Sequence, residues 1–281
     1  MSENTIHQVG NWWPLSAGFR DDLPLAGETL TQLLQRSAVD GIDVEPDAWI
    51  CDRDWQVLAD ARDGVVLITD EGVVLARKAQ GAGEQLVASD GSFLLRYPWD
   101  LLAVNEQVVG SLTENHLEGQ VSSAATIDGM IRVGEGSRIL AGVYIEGNVV
   151  IGRNCKIGPN CYIRGNTSIG DGAHIGHAVE IKNSIIGHET SVGHLSYVGD
   201  SILGNRVNFG AGTTTSNYRH DGKNHRTMVE GMLVDTGRKK FGTIVGNGVH
   251  TGIHTAIYPG RKLGAGVTTR PNDTVRRDLE S

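Results

Sequence analysis

The sequence predicts a mainly β chain: a parallel β-helix of hexapeptide repeats, preceded by a small N-terminal α+β unit. Three observations carry this reading. An aliphatic residue recurs at every sixth position, from Val133 through Ile139, Ile145, Ile151, Ile157, Ile163, Ile169 and Ile175 to Ile181. Glycine often follows it, as in Ile151-Gly152, Ile157-Gly158 and Ile169-Gly170. The composition holds 38 glycines and only 5% aromatics, which suits a thin prism with small fillers and tight corners. An α-helix at about 3.6 residues per turn rotates a period of six off any one face, and a plain strand repeats every two. A strict six fits short flat strands joined by corners, coil upon coil.

Residues 1–96 show no hexapeptide phase. Within them, 25–37 reads as an amphipathic helix with Leu30, Leu33 and Leu34 on one face. Residues 48–51, 64–69, 72–76 and 92–96 read as short strands separated by turn residues such as Asp63-Gly64 and Asp90-Gly91. Residues 97–119 read as a linker helix, with Pro98 near its start, where a missing N–H costs little. The β-helix takes up 120–281, regular to about 270. In each repeat the residue four places after the aliphatic one also points inward and is slim: Ser137, Val143, Val149, Cys155, Cys161, Thr167, Ala173 and Val179. Cys155 and Cys161 therefore read as core fillers, not ligands or nucleophiles. The N-terminal unit and its linker read as a cap over one end of the solenoid.

The phase then stutters. Ile181 to Ile186 and Val198 to Leu203 are steps of five, and the pattern vanishes between Thr215 and Val245 before returning through Thr251, Ile257 and Leu263. The interruption, 216–243, is polar and basic, and long insertions in solenoids usually carry function. Its His220 and His225 read as solvent-facing, and Arg238-Lys239-Lys240 as a solvated run.

A net charge of −8 argues against a broad nucleic-acid surface. No apolar run nears the roughly 20 residues of a membrane span, and Met1-Ser2-Glu3-Asn4 does not open a signal peptide. Three cysteines make no disulfide framework. The expectation is a cytoplasmic protein with neither a membrane nor a nucleic-acid partner. The sequence holds no Walker loop and no dinucleotide fingerprint.

The reactive groups gather in the stutter zone. Glu180 and Lys182 flank inward Ile181 and so point outward, with His194, Tyr197, Asn208, Asn217 and Tyr218 following. Arg164 lies eighteen residues before Lys182. If three hexapeptides make a coil, the two cations stack on one face, as a phosphate clamp or as a solvated charge ladder.

The stretch DGAHIGHAVEIKNSIIGHETSVGHLSYVGDSILGNRVNFGAGTTTSNY, 171–218, closely resembles the acetyltransferase domain of the bifunctional glucosamine-1-phosphate acetyltransferase / N-acetylglucosamine-1-phosphate uridyltransferase family. VEIK, GHLSYVGD and NFGAGTTTSNY are its most telling pieces. YPWDLL, RHDGKN and GRKKFGTIVGNGVHTGIHTAIYPG are more similar to the archaeal-type branch, the sugar-1-phosphate nucleotidylyltransferase/acetyltransferases. The likeness covers about 97–270. It does not reach the first 95 residues, which lack the glycine-rich loop of the nucleotidyltransferase half, so no uridylyl transfer is expected.

The resemblance implies a left-handed coil, a homotrimer with sites between neighbouring prisms, and acetyl transfer from acetyl-CoA to the amine of a hexosamine 1-phosphate, glucosamine 1-phosphate first. It gives His194 the role of general base and places Glu180 beside that base or the amine. Arg164, Lys182 and Tyr197 would hold the sugar phosphate, Asn208 and Asn217 would position substrate and amine, and Tyr218 would add a contact. The backbone N–H of Ala211 would steady the oxyanion. Arg219-His220 intervene before Asp221-Gly222, which leaves the loop's phosphate contact open between Lys223 and Arg226. Ile253 stands where bacterial members carry a serine near acetyl-CoA. Ala265 and the basic Arg270, Arg276 and Arg277 are expected beside the coenzyme. No metal is expected: His188/His194 and His250/His254 do not make the three convergent histidines of hexapeptide-fold carbonic anhydrases. Two rival readings are an acyltransferase for another amino sugar or a nucleotide sugar, and a non-catalytic sugar-phosphate-binding partner of a separate nucleotidyltransferase.

Overall fold

The computed structural model describes residues 12–36, 39–79 and 83–280. The extreme N-terminus, read above for a leader, and residue 37 of the expected helix lie outside them. From His116 onward the chain winds through three parallel sheets in fixed rotation. The first face stacks eight strands, from His116–Leu117 to Arg261–Leu263. The second stacks six, from Gln120–Val121 to Asn208–Phe209, and the third eight, from Thr126–Asp128 to Thr274–Val275. This is a left-handed parallel β-helix, and it continues past 270 to a bridge between Leu263 and Leu279.

The hexapeptide pattern is what fills the prism. Ile145, Ile157, Ile163, Ile175 and Ile181 are fully buried, and so are the slim residues Ser137, Val149 and Thr167. Cys155 and Cys161 lie in the same core, and burial pushes the Cys161 thiol up to about 12. Neighbouring coils are in register eighteen residues apart, Arg164 opposite Lys182. At the stutter the offset drops to seventeen, Glu180 opposite Tyr197. The shortened corners are closed by residues in the left-handed region, Asn183 at φ 48° and Asp200 at φ 49°, a conformation that Asn and Asp tolerate best among non-glycine residues.

The N-terminal unit has a four-stranded sheet ordered Ile42–Val44, Val74–Lys78, Val66–Ile68, Gln85–Val87. Helix Asp52–Asp60 packs with it, and the sequence reading left that helix out. The expected helix at 25–37 runs over Leu30–Arg36. The unit does not cap an end of the solenoid. Together with helix Asp100–Gly110 it lies along the first face. There Ile185, Ile202 and Ile244 join one apolar cluster with Phe19, Leu33, Trp99 and Leu102. Hydrogen bonds fix the contact: Ser168 Oγ donates to Asn105 Oδ1 at 2.5 Å, and Asn105 Nδ2 to the Asn166 carbonyl at 2.8 Å. The cause is in the strands themselves. Ile185-Ile186, Ile202-Leu203 and Ile244-Val245 each put one aliphatic inward and one outward, and an outer row of isoleucines costs about 25 cal/mol per Å² if left in water.

The insertion at 216–243 is a built element. Arg226–Val229 pairs antiparallel with Met232–Asp235. Val229 and Phe241 enter the cluster shared with the N-terminal unit, and Thr227 Oγ1 donates to the Gly260 carbonyl at 2.8 Å. His225 is 2% exposed with Nε2 3.1 Å from the Asn217 carbonyl, which overturns its expected solvent position. His220 is exposed as expected. Arg238 is no solvated cation either: it pairs with Glu106 of the long helix, while Lys240 Nζ sits 3.9 Å from the Tyr218 ring centroid.

Candidate functional site

The third face carries Arg164, Glu180, Lys182 and Tyr197, because a register of seventeen or eighteen sets outward side chains in columns. One column runs Tyr144, Tyr162, Glu180, Tyr197, and its neighbour Glu146, Arg164, Lys182, Gly199. Tyr144 and Tyr162 stack at 5.3 Å. Arg164 and Lys182 are adjacent as expected, and each already has a carboxylate partner. Arg164 Nε donates to Glu180 Oε1 at 2.8 Å, and Lys182 Nζ reaches both oxygens of Asp200 at 2.9 and 2.8 Å. An arriving phosphate would therefore enter a balanced array rather than meet two bare cations.

Asn217 follows the last strand of this cluster. Its Nδ2 donates to the Tyr197 hydroxyl at 2.9 Å and to Asp200 Oδ2 at 2.5 Å. Burial, then the Asp200 and Glu180 carboxylates, raise the Tyr197 phenol, which keeps it protonated as a donor at neutral pH. Gly199 makes room for this pair. A Cβ there would lie 2.4 Å from the Tyr197 hydroxyl and 2.6 Å from Asn217 Nδ2. A shallow cavity of about 440 Å³ runs along the corner, with Glu180, Tyr197, Leu195 and Ser196 in its wall.

His194 ends a strand of the second face, opposite His177, and is exposed. Within one chain Glu180 hydrogen-bonds Arg164, on the third face, across the corner from His194. Asn208 is exposed on the second face, bridged to Ser191 and His250. Ala211 sits in the next corner, its carbonyl accepting the His254 N–H at 2.7 Å. Ile253 is 49% exposed and Ala265 is exposed, both coils away from Lys182. Arg270, Arg276 and Arg277 are exposed on the last coil. Lys223 and Arg226 line a hollow of about 570 Å³ with Arg219 and Lys239, while Arg219 is paired to Asp221.

The sequence reading missed Gly199, Asp200, Asn183 and Glu106. The first two stand in GHLSYVGD, the third beside Lys182. Nothing in the spacing of Glu106 points to the site, since the helix meets it only through the tertiary packing. Among the described residues no group of three His, Cys, Asp or Glu side chains is set to hold a metal ion, and no helix is long and apolar enough to cross a membrane.

The described coils form a hexapeptide-repeat parallel β-helix. Residues 145–262 match the family model described as the GMPPB C-terminal domain. More particularly, the chain is a relative of the bifunctional nucleotidyltransferase/acetyltransferases over their C-terminal acetyltransferase region. It is 40% identical over 182 residues to the bifunctional sugar-1-phosphate nucleotidylyltransferase/acetyltransferase of Sulfurisphaera tokodaii, covering 65% of this chain and 45% of that one. It is 42% identical over 184 residues to a bifunctional protein GlmU of Methanococcus maripaludis, covering 66% and 44%. The chain thus spans less than half the length of these relatives. Among solved structures it is similar to the polySia specific acetyltransferase NeuO, with TM-score 0.27, 16% identity and coverage of 60% of this chain and 78% of that one. It is also similar to a mutant of AntD, an N-acyltransferase from Bacillus cereus, with TM-score 0.25, 18% identity and coverage of 61% and 77%.

Proposed function

We propose that this chain transfers the acetyl group of acetyl-CoA to the amine of a hexosamine 1-phosphate, glucosamine 1-phosphate first. The observation that carries the reading is the convergence of Arg164, Glu180, Lys182, Tyr197 and Asn217 on adjacent coils of one face, with an exposed His194 at the corner. The matched relative's name, a sugar-1-phosphate nucleotidylyltransferase/acetyltransferase, supplies the substrate class.

In this reading the amine nitrogen attacks the thioester carbonyl, a C–N bond forms, and the C–S bond breaks to release coenzyme A. His194 takes the amine proton as general base. The Ala211 N–H faces the developing oxyanion. Arg164, Lys182 and Tyr197 hold the phosphate, with Lys223 or Arg226 reaching in from the insertion. Asn217 and Asn208 position the sugar, and Tyr218 borders it. Ile253 and Ala265 line the coenzyme. Because His194 and Glu180 lie on different faces, the site is completed between copies, in a homotrimer joined through the two faces left open by the N-terminal unit. Exposed Leu195, 61%, and Ile253, 49%, at the corner between those faces support such a contact.

The test is coenzyme A thiol release by wild type and His194→Ala with acetyl-CoA and glucosamine 1-phosphate. A fall of about 100-fold or more in the variant is expected. Equal rates would remove His194 from its role. No turnover with any amino-sugar phosphate would leave the non-catalytic partner of a separate nucleotidyltransferase as the better reading.

A further inference from the structure

Asp200 is 2% exposed, yet its carboxylate is crowded with donors. Lys182 Nζ binds both oxygens at 2.9 and 2.8 Å, Asn183 Nδ2 reaches Oδ1 at 3.1 Å, and Asn217 Nδ2 reaches Oδ2 at 2.5 Å. Two of the three donors, Lys182 and Asn217, are residues the proposed chemistry uses. The third leads outward: Asn183 Nδ2 also donates to Glu106 Oε1 at 2.7 Å, and Glu106 pairs with Arg238 of the insertion. One hydrogen-bonded line thus runs from helix Asp100–Gly110, through a corner of the β-helix, to Lys182 and Asn217.

We infer that Asp200 is a positioning residue of the site, holding Lys182 and Asn217 in place, and that Glu106 anchors it through Asn183. This rests on the proposed acetyl transfer. Lysine carries a long stem with several rotatable bonds, and fixing it before substrate arrives removes an ordering cost from binding. A buried carboxylate is stable only when its lone pairs are filled, so the need that Asp200 places on its donors also holds Lys182 and Asn217. The ligand's phosphate then meets an ammonium already aimed. The simpler account is that the corner merely needs Asn or Asp at positive φ. Asp200→Asn separates the two accounts, because it keeps the backbone preference and the shape and removes the charge.

Two readouts decide. In the first, the intact protein is treated with limiting trinitrobenzenesulfonate and modification of Lys182 is followed by peptide mass spectrometry. Loss of the two hydrogen bonds to Asp200 frees the amine, and Lys182 in Asp200→Asn is expected to react about tenfold faster than in wild type, the scale of one charge-assisted hydrogen bond. Asn183→Gly, which tolerates the same φ and cuts the link to Glu106, moves the rate in the same direction by less. It serves as the deciding variant should Asp200→Asn fail to fold. In the second, KM for the amino-sugar phosphate rises about tenfold in Asp200→Asn, the scale of one charge-assisted hydrogen bond, while KM for acetyl-CoA stays unchanged. Unchanged Lys182 reactivity in a folded Asp200→Asn would overturn the inference. Absence of turnover in wild type would sink the acetyl-transfer reading alone, since the labelling rates still report whether Asp200 holds Lys182.

Discussion

Gly199 shows how much the site depends on one missing side chain. Its column partners are Glu146, Arg164 and Lys182, all long and polar, and the column stops at glycine where Tyr197 and Asn217 cross above it. Gly199→Ala would push the phenol and the amide apart by a few tenths of an ångström or more. Misplacement on that scale is expected to lower kcat/KM with glucosamine 1-phosphate about tenfold, with little change in thermal midpoint, because the displaced groups are the far ends of side chains. An unaltered kcat/KM would mean that the Tyr197–Asn217 contact is not used in the reaction. The residues legible from sequence were those whose direction follows from the six-residue period, such as outward Glu180 and Lys182 around inward Ile181. The illegible ones were partners. No pattern in the chain says that Lys182 will meet a carboxylate eighteen residues on, at a corner where the step has shortened.

At the scale of elements, the first face and the insertion are the two places where expectation and structure part. The aliphatic pairs Ile185-Ile186, Ile202-Leu203 and Ile244-Val245 were in plain sight, and a period-six reading used only the inward member of each. The outward members bind the N-terminal unit. Ile202→Ala is therefore expected to cost about 2–4 kcal/mol in chemical denaturation, the scale of a buried aliphatic truncation, and a cost below about 1 kcal/mol, as for a surface site, would show that the face is not covered in solution. The insertion carries a pH signature of its own. Burial lowers the proton affinity of His225, with Lys239 and Asn217 carbonyls and Asp200 opposing and Arg219 adding to it. A histidine harder to protonate when folded contributes stability above its unfolded pKa of about 6.5 and loses it as pH falls below that value. Hydrogen exchange of 226–235 is expected to speed up on acidification from pH 7 to pH 5, after correction for intrinsic rates, and His225→Gln to flatten that dependence. Protection that stays constant in wild type would place His225 outside the clasp.

Among the described residues the molecule is a prism with one face closed by its own N-terminal unit and two faces open. If the site lies between copies, His194→Ala and Asn217→Ala chains are each inactive alone, yet co-refolded mixtures regain about a quarter of wild-type thiol release, the fraction of randomly assembled sites with both intact halves in a closed ring. No recovery on mixing would confine each site to a single chain.

The sequence by itself determined the coil, its inner residues and the family to which its central motifs are similar, because a strict period of six has one regular solution and each inward position is set by its distance along the chain. It also determined which side chains of 164–182 point outward. Only the tertiary structure decided which face the N-terminal unit covers, that His225 and Arg238 are held rather than solvated, and that Glu106, Asn183 and Asp200 stand behind Lys182 and Asn217. Those outcomes depend on contacts between segments up to 183 residues apart, and packing energy between distant surfaces leaves no periodic trace in either of them.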